Sequence, residues 1–265
     1  MKLFISADIE GTAGIVSWEE TEAGKRGHDY FSREMTQEVA AACEGAIEAG
    51  FRDILVKDAH DSARNIDPSG LPREARIFRG WAGSPLVMMA GLDETFDAAI
   101  MTGYHSGSGS DGNPLSHTMT PRALSVRFNG EPVSEFVINA YTAGYLKVPV
   151  AFLSGDRQLC ESVGAFTPAV RTLAVSEGVG GGSVSIHPAL AQERIRDGVH
   201  AALSGDLSQY RVELPEYFEV DVDYREHADA LRYSFYPGAR RTGTRGVRYE
   251  SPDYMDVLRF LFFAI

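Results

Sequence analysis

The sequence predicts an α/β fold, a mostly parallel central sheet with flanking helices, extended by a smaller α+β C-terminal portion. Three observations carry this. Nearly continuous apolar runs of strand length recur through the first 160 residues, helix-period stripes lie between them, and one strictly alternating run follows much later. Continuous apolar runs suit strands buried on both faces, whereas alternation marks a sheet with one wet face.

In chain order, "LFISAD" (3–8) is the opening strand. "SREMTQEVAAACEGAIEAG" (32–50) is a helix: Ser32 stands in the capping position, Gly50 stops it, and Met35, Val39, Ala42 and Ala46 form its apolar stripe. "DILVKD" (53–58), "AAIMTG" (98–103) and "VPVAFLSGD" (148–156) are further buried strands. A second helix begins at Ser134 and carries Phe136, Val137, Ala140 and Tyr141. The Gly-rich "EGVGGGSVSIHP" (177–188) separates the two halves and leads into a helix from about Pro188. "YFEVDVDY" (217–224) sets Phe218, Val220, Val222 and Tyr224 against Glu219, Asp221 and Asp223, a half-exposed antiparallel strand. Residues 1–160 are therefore expected to form the α/β core. Residues 161–265 are expected to form a smaller portion suited to oligomerisation and to walling a pocket.

Composition narrows the function. A chain of 265 residues with 44% hydrophobic and 23% charged residues can bury a core without metal or disulfide staples. A net charge of -12 argues against nucleic acid or an anionic membrane as partner, since both require basic patches. Cys43 and Cys160 lack metal-type spacing and read as buried free thiols. No apolar leader follows Lys2, and the terminal "LRFLFFAI" (258–265) is too short to span a bilayer, so a cytoplasmic protein is expected.

Open α/β sheets bind ligands beyond the carboxyl ends of their strands. Asp8 and Glu10 fall there after the first strand, two positions apart and so on one face. His60 follows the second apolar strand, and His105 follows "AAIMTG", with His117 across a Gly/Ser loop; Glu135 opens the second helix. Singly, each has a plainer reading: solvated acids, loop histidines, or an acid complementing a helix N-terminus. Asp58 and Asp61 read as turn and capping acids, and His28, His187, His200 and His227 as structural or surface residues. Together, three carboxylates and two histidines suit zinc or another divalent first-row metal. One carboxylate shared by two ions is the composition of a two-metal hydrolytic site. Metal charge would also offset the repulsion between Asp8 and Glu10.

Competing motifs are weaker. "GSGSDG" (107–112), with Glu131 beyond it, matches a dinucleotide fingerprint, but Asn113-Pro114 disfavours the helix that such a motif must open. No phosphate loop or nucleophile elbow occurs, so Ser106, Ser108 and Ser110 read as loop residues, and loop 106–113 is expected to move as a lid. The basic run "GARRTGTRGVR" (238–248) reads as a solvated or internally paired face.

"SADIEGTAG", "KDAH" (57–60), "GYH" (103–105), "SHTM" (116–119), "ExxxNA" (135–140) and "GDR" (155–157) occur in that order. This arrangement resembles the zinc-dependent D-aminopeptidase family across at least residues 1–160. The resemblance implies two zinc ions per chain, held by Asp8, Glu10, His60, His105 and Glu135, with His117 as the catalytic histidine. It implies short peptides as substrates, D-Ala peptides among them, and a homo-oligomer, a ring-like decamer in that family. Two other readings stand beside it: a two-metal amidohydrolase or esterase acting on a non-peptide metabolite, and a non-catalytic metal- or peptide-binding protein. His117 is expected either to shuttle a proton or to bind the tetrahedral intermediate. Beyond residue 160 the resemblance assigns no residues, which leaves the side-chain preference open.

Overall fold

Leu3 and Ile5 of the first strand join one buried apolar cluster while Phe4 between them joins another, so this strand lies inside a sheet covered on both faces. The computed structural model describes Met1–Ile265. Its elements run β1 (Lys2–Ala7), α1 (His28–Glu48), β2 (Asp53–Asp58), β3 (Ala75–Phe78), β4 (Ala98–Tyr104), β5 (Ala123–Phe128) and β6 (Glu131–Pro132). They continue with α2 (Glu135–Tyr145), β7 (Val150–Asp156), α3 (Arg157–Phe166), β8 (Arg171–Val179), β9 (Gly182–Ser185) and α4 (Pro188–Leu203). The chain closes with β10 (Phe218–Tyr224), α5 (His227–Tyr233), β11 (Arg240–Arg241), β12 (Gly246–Ser251) and α6 (Tyr254–Ala264).

A seven-stranded sheet has the order β3-β2-β1-β4-β7-β8-β9, parallel except for the β8–β9 hairpin. Helices α1 and α4 cover one face and α2 and α3 the other. The chain builds outward from β1 through β2 to β3, then returns to add β4 on the opposite side of β1. Adjacent strands that leave in opposite directions open a crevice at their carboxyl ends, the place where open α/β sheets bind ligands. Asp8 and Glu10 follow β1 and His105 follows β4, so the sheet topology delivers them to this crevice.

The second sheet, β11-β12-β10-β5-β6, is antiparallel and packs on α6. Residues Phe218–Tyr224 alternate buried and half-buried, as the sequence pattern requires. The two sheets do not divide the chain at residue 160. β5 and β6 leave the first portion to pair beside β10, while β8, β9 and α4 remain with the large sheet.

Two local features, the start of α1 and the Gly-rich stretch, differ from expectation, and the others accord with it. Helix α1 begins at His28 after a left-handed Gly27, and Ser32, in place of capping it, donates its Oγ to the Asn65 carbonyl at 2.5 Å. The Gly-rich stretch forms the β8–β9 hairpin rather than a linker. The basic run is largely paired at home: Arg248 bonds Glu219 and Asp221, and Arg240 bonds Glu250. Cys43 and Cys160 are buried and unpaired. No helix is long and apolar enough to cross a membrane.

Candidate active site

The loop after β1 is seated directly on the end of β4. Asp8 N donates to the Thr102 carbonyl at 2.9 Å and Gly11 N to the Gly103 carbonyl at 2.8 Å. The approach is so close that a Cβ on Gly11 would lie 1.8 Å from the Tyr104 oxygen, and one on Gly103, at φ 68°, 2.2 Å from the Asp8 oxygen. Only glycine allows this crossing. From below, Glu38 of α1 accepts the Ala13 N–H at 2.9 Å.

The loop after β2 is clipped by Asp58, which accepts the backbone N–H groups of Asn65 and Ile66 and the Asn65 amide, at 2.6 to 2.9 Å. That clip holds the turn carrying His60, whose carbonyl accepts the Asn65 amide at 2.8 Å. Asp58 is thus the turn-fixing acid its sequence context suggests. After β4, Ser106 is gripped by Asp156 through its N–H and its hydroxyl, both at 2.6 Å, while Asp156 also caps α3 through the Leu159 N–H. Loop 106–113 is further tied by Ser108 to Thr118 and Ala123, and by Asn113 to the Glu10 carbonyl. These bonds seat the loop behind the site, and none of its residues lines the cleft itself. Glu135, the first residue of α2, accepts the Met119 N–H at 2.7 Å.

These segments bring Asp8, Glu10, His60, His105, His117 and Glu135 together, and all but the fully buried His105 line a cleft of about 520 Å³ walled by Trp18, Trp81, Met88 and Met119. The three carboxyl groups and the two strand-end histidines are buried, and His117 lies just inside the opening. Each histidine is fixed at one nitrogen by a backbone carbonyl, which can only accept. His60 donates Nε2–H to Thr21 at 2.8 Å, His105 donates Nδ1–H to Ser106 at 2.9 Å, and His117 donates Nδ1–H to Leu115 at 2.9 Å. In the neutral imidazole the other nitrogen then carries a bare lone pair. For His60 it stands 3.0 Å from Glu10 Oε2 and 3.3 Å from Asp8 Oδ1. For His105 it stands 3.5 Å from both Asp8 Oδ2 and Glu135 Oε2. For His117 it stands 3.6 Å from Glu135 Oε1 and 4.0 Å from Glu10 Oε1.

Lone pairs aimed at carboxylate oxygens repel unless a cation lies between them. In the bare cluster that cation is a proton, since against burial the Glu10 charge holds His60, and the Glu135 charge His105, well above the ordinary imidazole range. Glu10 Oε2 and His105 Nε2 are buried with no hydrogen-bond partner, which outside such a role would be costly. Ligand atoms around a tetrahedral ion with bonds of about 2.0–2.1 Å stand roughly 3.3 Å apart, close to the spacings within both groups. The donor set therefore fits metal. Asp8, Glu10 and His60 could hold one ion, and Asp8, His105 and Glu135 another; a third grouping joins Glu10, His105 and His117. The carbonyls of Thr21 and Ser106 orient the ligand imidazoles, the usual way a protein fixes which nitrogen faces a metal.

The ionisation of the bare cluster tells the same story. Burial, then the charge of Glu10, pushes the Asp8 carboxyl well above its ordinary range. Burial would also raise Glu135, but the nearby His105 ring, 3.5 Å away, and the charge of His117 bring it down to about 2. Burial and the neighbouring His105 lower His117, so its imidazole is neutral at pH 7. Three buried carboxylates cannot all stay charged on the positive charge these histidines supply, and metal charge removes that deficit.

The Thr21, Ser106 and Leu115 carbonyls, and the Trp81 wall, have no counterpart in the sequence reading, because the direction of a backbone carbonyl leaves no residue signature.

Comparison with known proteins bears directly on this geometry. The peptidase M55 family model, described as D-aminopeptidase, matches residues 1–263. A D-aminopeptidase of Bacillus subtilis (strain 168) is 29% identical over 258 residues, 97% of this chain and 93% of that protein. The solved structure of the Zn-dependent D-aminopeptidase DppA from Bacillus subtilis, a self-compartmentalizing protease, superposes with a TM-score of 0.93 at 27% identity. It covers 100% of this chain and 96% of that one.

Proposed function

The chain belongs to the M55 D-aminopeptidase family, and from that premise we propose that it is a zinc-dependent aminopeptidase that removes the N-terminal residue of short D-amino-acid peptides. The observation that carries this reading is the paired arrangement around Asp8, with Oδ1 turned to His60 and Oδ2 to His105. Asp8, Glu10 and His60 would hold one zinc ion and Asp8, His105 and Glu135 a second, with Asp8 common to both groups. When bound, zinc at such a site supplies Lewis acidity for the scissile carbonyl and lowers the pKa of a water towards neutrality.

The chain's own residues do the rest. His117 keeps Nδ1–H on the Leu115 carbonyl, so its neutral Nε2 is free to take a proton in the cleft and deliver it to the leaving amine nitrogen. Trp18 packs edge-on against His117 at 5.2 Å and His105 stacks on it at 4.4 Å, which fixes its plane. Glu22 and Asp61 add negative charge at the cleft, favouring a substrate with a free ammonium terminus. Two buried, unpaired cysteines accord with a cytoplasmic setting. Exposed Val179, Val184, Phe235 and Phe263 support a homo-oligomer, a decamer by family resemblance.

Metal content and hydrolysis of D-Ala-D-Ala and L-Ala-L-Ala, measured for wild type and Asp8→Ala, test the proposal. The expected result is two zinc ions per wild-type chain and D-selective cleavage, both lost in the variant. Zinc binding without cleavage of either dipeptide would turn the reading to a non-peptide substrate. No zinc after reconstitution would refute it.

A further inference from the structure

Beside the metal cleft lies a second cavity of about 230 Å³ whose lining includes Leu86, Ile138, Leu258, Leu261 and Phe262. Val87 and Met119 line both cavities, so they form the partition between them. We propose that this cavity is the subsite for the side chain of the substrate's second residue, and that the preferred peptides carry a large apolar side chain there. The proposal rests on the aminopeptidase reading above and goes further by naming the substrate class.

Size and lining identify the occupant. A cavity of roughly 150 Å³ walled by leucine, isoleucine and phenylalanine admits a benzene ring, so this one accepts a leucyl or phenylalanyl side chain. Its one polar side chain, Asn139, donates its amide to the Tyr104 hydroxyl at 2.9 Å. An anionic side chain would find no opposite charge in the lining and would be rejected on desolvation.

The backbone of the partition is held in place, which leaves the Met119 side chain as the part that swings to join the two cavities. Val87 and Met119 both hold left-handed backbone, at φ 42° and 63°, a costly conformation for a β-branched valine. Next to Val87, the Met88 carbonyl accepts the Ser6 hydroxyl at 3.0 Å, and Ser6 is bonded to the Tyr104 hydroxyl at 2.6 Å. On the other side, the Met119 N–H is bonded to Glu135. The wall of the apolar cavity is thereby fixed to the strand and helix that carry His105 and Glu135.

The side of the scissile bond follows from His117. Met119 is two residues beyond the imidazole that protonates the leaving nitrogen, so the cavity behind it lies on the side of the residue that departs. The flexible thioether can yield to side chains of different shape.

The test compares the zinc-loaded chain on D-Ala-D-Xaa and D-Xaa-D-Ala, with Xaa alanine, leucine, phenylalanine or glutamate. D-Ala-D-Leu and D-Ala-D-Phe are expected to exceed D-Ala-D-Ala in kcat/KM by on the order of 10- to 100-fold, with no such rise for D-Ala-D-Glu or the reversed series. Leu261→Trp should cut the D-Ala-D-Phe to D-Ala-D-Ala ratio at least tenfold. Leu86→Trp, at the half-buried edge of the cavity, gives the same readout if the helix variant fails to fold. A flat series, a rise that follows the first residue, or a ratio untouched by both variants would overturn the proposal. Calorimetric titration with uncleavable reduced-bond analogues of D-Ala-D-Phe and D-Ala-D-Ala separates this from the parent reading. Tighter binding of the aryl analogue, lost on filling the cavity, sustains the subsite even if no peptide is cleaved, and equal binding refutes it.

Discussion

Gly11→Ala is the substitution whose effect the structure specifies most sharply. Gly11 does not occupy left-handed backbone, so alanine suffers no conformational penalty there, and the whole effect comes from close approach. The added Cβ would lie 1.8 Å from the Tyr104 oxygen, against a floor of 3.0 Å for real Cβ contacts, so the two segments must part by about 1.2 Å. Gly11 is the neighbour of Glu10 and Tyr104 the neighbour of His105, so the displacement separates candidate metal ligands. Metal sites tolerate about 0.2 Å in their bond lengths, and a misplacement of about 1 Å costs roughly 10²-fold in rate. Zinc content by atomic absorption and kcat/KM on D-Ala-D-Ala should show substoichiometric metal and at least a roughly 100-fold loss, in a chain that still folds by circular dichroism. A Gly11→Ala protein with full zinc and activity within twofold of wild type would refute the claim that this crossing sets the ligand geometry.

Other expectations follow from the same coordinates. His117→Ala should lower kcat by about 10²–10⁴-fold with zinc content unchanged; loss of zinc would instead make His117 a ligand. Chelation should abolish activity and lower the thermal midpoint, because it leaves Asp8, Glu10 and Glu135 buried together, and added zinc should restore both. Glu38 is pushed by burial from 4.5 up to about 8, with the Ala13 N–H pulling the other way. The folded state thus holds a proton that the unfolded chain releases near pH 4.5, so this residue's contribution to stability falls as pH rises from about 4.5 to 8 and levels off above. Wild type minus Glu38→Gln, by urea unfolding across that window, should show the decline, on the order of 3–5 kcal/mol in full; a flat difference would contradict it.

How far the sequence could be read depended on the kind of signal. β1, β2, β4 and β7 were legible because strands buried on both faces must be almost wholly apolar, and β10 because a half-wet strand must alternate. β5 was not, since Ser125 and Arg127 break the apolar run, with Arg127 bonding Asp223 across the sheet. The start of α1 was misplaced because Ser32 has the chemistry of a cap but uses it on Asn65, a tertiary contact. At the site, strand-end placement brings forward Asp8, Glu10, His60 and His105, and the start of the second helix Glu135; the structure brings all five together. The features that orient them are backbone carbonyls at Thr21, Ser106 and Leu115. The partition at Val87 and Met119 depends on left-handed backbone at residues that rarely adopt it, and no local pattern announces that.

The central claim is that Asp8 spans two metal ions. Anomalous diffraction from zinc-loaded crystals, collected on both sides of the zinc absorption edge, tests it most directly. The account predicts two peaks per chain, about 3.5–4 Å apart, one beside Asp8 Oδ1, Glu10 and His60 and the other beside Asp8 Oδ2, His105 and Glu135. A single peak, or two peaks that Asp8 does not join, would contradict it.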